Sequence, residues 1–88
     1  MDGGYFRVRY RKRPVVVTAE RFWENLRPWP VGVCTCPTDP EGPHVHTMHA
    51  NQAVRLEEGD WVVAEPDGVH FYPIKPNVFE MTYEAVNE

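Results

Sequence analysis

A chain of 88 residues has room for one hydrophobic core, so every functional residue must share a single domain spanning 1–88. A hydrophobic fraction of 42% and an aromatic fraction of 12% exclude disorder across the whole length, and no apolar run is long enough to span a bilayer. The net charge of −4 joins two unlike parts: residues 1–38 carry seven Lys/Arg against three Asp/Glu, and residues 39–88 carry two against ten. That overall acidity speaks against duplex nucleic acid, whose non-specific binding depends on phosphate neutralisation by basic groups.

Phe6 to Phe22 reads as extended chain, with Tyr5, Arg7, Arg9, Arg11 and Arg13 on one face at period two and Pro14 as an interruption or bulge. Glu20 to Leu26 has helix-compatible composition that Pro28 and Pro30 cut short. Residues 27–43 hold five prolines and two glycines, which predicts a loop restricted by its prolines rather than a flexible linker. His44 to Met48 and Ala53 to Leu56 alternate as strands, Glu57-Glu58-Gly59-Asp60 is turn chemistry, and Trp61 to Val63 resumes a strand. Glu65-Pro66-Asp67-Gly68 turns the chain back through Val69 to Tyr72 as the second arm of a hairpin. Asn77 is placed to cap one helical turn through Met81, and Thr82 to Val86 is predicted to extend and close the sheet beside the N-terminal strand, bringing Glu80 and Glu84 near the arginines. The sum is a mainly β (at most α+β) fold: a small rolled sheet or barrel of five to six short strands with one or two short helical turns.

Three constellations could carry chemistry. The first is Cys34-Thr-Cys36 followed by His44, His46 and His49. Thiolate and imidazole are the donors zinc prefers, and a metal would strengthen an undersized core; the expectation is no cofactor, with zinc the one these residues could accept. Two cysteines one residue apart seldom close a disulfide with each other, so they read as reduced thiols or ligands. The bland alternative is a pair of loop thiols beside solvent-facing imidazoles. His44-x-His46, Gly59, Pro66-x-Gly68 and His70 also echo a cupin barrel, with no Glu at the expected interval and spacings off by one, which makes a cupin-like metal site the second reading. The other two constellations are the strip Arg7, Arg9, Arg11 and Arg13, able to hold phosphates or to pair with acidic strands, and the aromatic group Trp61, Phe71, Tyr72, Phe79 and Tyr83. The aromatics are first of all packing, with Tyr72 the one proposed as a contact. No serine is present, which excludes a serine triad, and there is no Gly-rich phosphate loop.

The blocks Tyr10 to Val17 with Ala19 and Phe22, Gly59 to Val63, Gly68, Phe71 to Phe79 and Thr82 to Glu84 resemble, in order and spacing, a family of small proteins encoded by tailed phages and prophages. The resemblance implies phage or prophage origin and expression in a bacterial host cytoplasm, and brings no catalytic residue with it. The expectation is a non-enzymatic accessory protein that binds a host protein or a small anionic ligand, inhibiting or sequestering it. An edge strand ending at Pro14 would permit a homodimer. The central Cys/His segment has no counterpart in that pattern.

Overall fold

The computed structural model describes residues 8–11, 15–37 and 41–86. It contains five strands: β1 (Ala19–Arg21), β2 (His44–His46), β3 (Ala53–Arg55), β4 (Trp61–Ala64) and β5 (Phe71–Ile74). Helix α1 (Pro76–Thr82) follows, and a 3-10 turn at His49–Asn51 joins β2 to β3. The strands form two antiparallel sheets, one in the order β1-β4-β5 and one pairing β2 with β3. The fold is therefore mainly β, as the alternation predicts.

The central strand β4 is buried on both faces: Val62 packs in the core with Phe22, Val45 and Leu56, while Val63 on its other side is also fully buried. Trp29, Val33, Val54 and Phe71 close over that cluster. The core thus lies between the two sheets, with Val45 of β2 as the contribution of the smaller one, and β2 lies against β5.

The turn before β4 fixes how the sheets meet. Gly59 takes φ +86°, a conformation that glycine adopts without the Cβ penalty. Asp60 is only 2% exposed, and its carboxylate accepts the Glu57 N–H at 2.9 Å and faces the Lys75 ammonium at 3.1 Å. Lys75 is shared with Glu57, and the two carboxylates raise its pKa while it lowers that of Glu57. The backbone of Phe22 donates to the Asp60 carbonyl at 2.7 Å and accepts from Gly59 N–H at 2.8 Å, so this turn also holds β1 against β4. Arg21 donates to the Gly59 carbonyl at 2.6 Å and lies over the rings of Trp23 and Trp61. Trp61 stacks on Phe79 at 4.2 Å between centroids, and Phe79 stacks on Tyr83 at 5.0 Å, which seats α1 against the larger sheet.

Four local expectations are corrected. Among the described residues of the expected extended run, 8–11 and 15–18 are not strand and Ala19–Arg21 is. Glu20 to Leu26 is not helical, because the Phe22 backbone is committed to the Gly59–Asp60 turn and the following chain folds through turns at Glu24 and Val33. Helix α1 is two turns rather than one, starting at Pro76 with Lys75 in the N-cap position and no side-chain cap from Asn77; proline suits the first helical position, where its missing N–H costs nothing. Thr82 belongs to that helix and residues 83–86 form no strand, so the C-terminal segment does not close the sheet.

Asp60→Ala is expected to cost about 1–3 kcal/mol, because it removes the buried carboxylate that accepts the Glu57 N–H and leaves Lys75 with Glu57 as its one acidic partner. For a domain of this size that is a fall in Tm on the order of 10 °C in thermal unfolding. Glu24→Ala, at an exposed residue that hydrogen-bonds only through its backbone, is the control and should change stability by no more than about 0.5 kcal/mol.

Candidate metal centre

The Pro-rich loop returns to the smaller sheet through a bridge between Cys34 and His44. Cys34 donates its N–H to the His44 carbonyl at 2.8 Å and accepts the His44 N–H at 3.0 Å, the reciprocal pattern of an antiparallel pair. Cys34 is thereby fixed beside the first residue of β2. Strand alternation directs His44 and His46 to one side and Val45 to the core on the other.

A tight turn then carries Cys36 over the two imidazoles. Its N–H donates to Cys34 Sγ at 3.3 Å, and its own Sγ lies 3.3 Å from His44 Nε2 and 3.4 Å from His46 Nε2. The two rings meet edge to face with centroids 4.9 Å apart. One donor atom from each of Cys34, Cys36, His44 and His46 falls within 4.8 Å of every other. In a tetrahedral zinc centre with bonds of about 2.0–2.3 Å, neighbouring donors are separated by about 3.3–3.8 Å, so the group needs only a small contraction around an ion.

The surroundings of each donor suit that role. His44 is fully buried, and its Nδ1 lies 2.7 Å from the Gly42 carbonyl, which only a protonated Nδ1 can use; Nε2 is left with its lone pair facing the thiols. Buried Nδ1 of His46 has no hydrogen-bond partner among the described residues, so the polar contact of that ring is on the Cys36 side. The Cys34 thiol is pushed below its ordinary pKa by the hydrogen bonds it accepts from Cys36, first from the side chain and then from the backbone N–H. The same side-chain contact, with desolvation, pushes the Cys36 thiol up. Of the two thiols Cys34 is therefore the one that gives up its proton more readily, and binding a cation requires both protons to leave.

Of the candidate residues, these four converge and the others do not. His49 sits on the 3-10 turn, exposed, where Ala50 and Asn51 at positive φ break the alternation that aligns His44 with His46. His70, the cupin element, is elsewhere: its Nδ1 pairs with Asp67 and its Nε2 lies 3.1 Å from Asn51 Oδ1. Arg9 and Arg11 are exposed and make no ion pair among the described residues, so the expected pairing with acidic strands is not formed there; Arg7 and Arg13 lie outside the described residues. Tyr72 is half-buried, with its hydroxyl 3.2 Å from that of Tyr83, and burial followed by that contact drives its pKa upward. It is used in packing. The Gly42 carbonyl is the functional group that the sequence did not disclose, although glycine two residues before a histidine at a strand start is a signal for it.

Comparison with protein-family models, with curated proteins and with solved structures returned no match. No helix among the described residues is long and apolar enough to cross a membrane.

Gly42 has φ +104°, and a Cβ there would meet Arg55 Nε at 2.5 Å. Gly42→Ala is expected to destabilise the domain by about 1–3 kcal/mol and to lower metal affinity about 10–100-fold through misplacement of the carbonyl behind His44. Thermal unfolding and a competitive chelator titration read the two effects separately.

Asp67 supplies a separate pH dependence. Hydrogen bonds from the His70 and Val69 backbone, then from the His70 ring, lower its pKa to about 2 from an ordinary 3.8. A carboxylate whose folded pKa is depressed contributes stability above its unfolded pKa and loses it as pH falls. Tm should therefore decline between about pH 4 and pH 2, and Asp67→Asn should flatten that part of the profile.

Proposed function

We propose that this chain is a non-enzymatic binding module whose fold is completed by one zinc ion held by Cys34, Cys36, His44 and His46. The observation that carries the reading is the convergence of two thiols and two imidazoles within 4.8 Å, brought from the Pro-rich loop and from β2. Two sulfurs and two nitrogens are a zinc ligand set, and the carbonyl behind His44 is the kind of outer partner such ligands use. Four protein donors fill a tetrahedral sphere, whereas a catalytic metal keeps a position open for water or substrate. The site therefore acts as a clamp: the metal would tie residues 34–36 to the smaller sheet in a domain too small to be well stabilised by its core alone. A sphere filled by four protein donors favours a structural ion over the cupin-like alternative, whose third histidine is engaged with Asp67 and Asn51. The resemblance to small phage and prophage proteins supports an accessory role in a bacterial host cytoplasm, with a host protein or small anionic ligand as its target.

Zinc titration of the chelator-treated protein tests the clamp. One equivalent is expected to bind, and free zinc at a hundredfold above Kd should stabilise by about 2.7 kcal/mol, a rise in Tm on the order of 10 °C. Affinity should fall as pH drops, since the thiols must lose their protons. Cys36→Ser and His46→Ala should abolish the shift and His49→Ala should leave it intact. A protein whose Tm is indifferent to both zinc and chelator would refute the proposal.

A further inference from the structure

A groove of about 950 Å³ runs between Val15–Val17 and the segment from Phe79 to Val86, floored by Trp61. Its walls are apolar and open: Val16 is 71% and Met81 is 85% exposed. Glu80 and Glu84 also line it, both exposed and without an ion pair among the described residues. The groove adjoins β1, the edge strand of the larger sheet, so one wall offers unpaired backbone as well as side chains. An apolar surface of this kind, rimmed by one sign of charge, marks a contact site rather than ordinary surface.

The sequence contains a segment with the complementary character. Val8 and Tyr10 are 61% and 88% exposed and alternate with Arg9 and Arg11, which have no acidic partner among the described residues. In extended form, Val8 and Tyr10 would face one side and the two arginines the other, with Arg9 and Arg11 about 6.6 Å apart. The charge division, +4 over residues 1–38 and −8 over residues 39–88 from the Lys/Arg and Asp/Glu counts, favours a contact in which the basic segment of each copy meets the acidic part of the other.

We propose that residues 8–11 of one copy dock in the groove of a second, with Arg9 and Arg11 against Glu80 and Glu84 and with Val8 and Tyr10 against the apolar wall. Exchange in both directions gives a two-fold dimer in which the same contact occurs twice. Each copy covers its partner's exposed valines and Met81 and extends the β1 edge.

The test is a charge swap read by sedimentation equilibrium and native mass spectrometry. The unaltered protein is expected to be dimeric and to dissociate as salt is raised. The variant carrying Arg9→Glu and Arg11→Glu, and the variant carrying Glu80→Arg and Glu84→Arg, are each expected to be monomeric, with the circular dichroism of the folded chain preserved and a Tm that no longer depends on protein concentration. Mixing the two in equal amounts should restore a dimer with one chain of each kind, because every arm then meets a groove of opposite charge. A monomeric unaltered protein, a dimer indifferent to both charge reversals, or a mixture that stays monomeric would each overturn the proposal. The first of these results would leave the groove to the arm of its own chain or to a foreign basic peptide.

Discussion

A fully buried imidazole needs partners for both ring nitrogens, and at His44 that requirement organises the smaller sheet and the loop beside it. Nδ1 takes the Gly42 carbonyl, which requires the chain at residue 42 to adopt a conformation suited to glycine and to pass close to Arg55. Nε2 takes the Cys36 thiol, which requires the loop to come back across β2 and anchor at Cys34. The bridge between Cys34 and His44, the turn at Cys36 and the placement of His46 beside it follow from the same packing problem. A buried polar group is costly when only partly satisfied, so a cation gathering all four donors would complete the arrangement.

The larger sheet solves a different problem. Its central strand is buried on both faces, so its flanking turn must supply both the polarity and the geometry that β4 cannot. Asp60 does this from inside, holding Glu57 N–H and Lys75, while its carbonyl receives Phe22. The aromatic series Trp61, Phe79 and Tyr83 then lays α1 on the sheet. Gly59 to Tyr83 is thus a structural unit in which turn, hairpin and helix brace one another, and its chemistry is that of packing. The distinctive donor groups lie upstream of it.

How much of this could be read from sequence depended on whether the determining contact was local. The strand beginning at His44 and the hairpin around Glu65-Pro66-Asp67-Gly68 are local patterns of alternation and turn chemistry, and both are present, although the strand stops at His46 rather than Met48 and the second arm is Phe71–Ile74 rather than Val69 to Tyr72. The helix after Lys75 was legible in position but not in length, because the sequence offered Asn77 as a cap while Pro76 at the first helical position was the actual start. Period-two patterning in residues 5–13 fits an exposed basic segment as well as a strand, and pairing with β4 is what makes Ala19–Arg21 a strand. In the candidate centre, residue types pointed to zinc, but the separation of Cys36 from His44 fits no familiar finger. What joins them is the non-local bridge between Cys34 and His44, and the same contact excludes His49.

X-ray absorption at the zinc edge of the metal-loaded protein tests the coordination sphere of Cys34, Cys36, His44 and His46 most directly. Two sulfur neighbours at about 2.3 Å and two nitrogen neighbours at about 2.0–2.1 Å are expected. A shell of oxygen and nitrogen alone, or one unchanged by Cys36→Ser, would contradict the assignment.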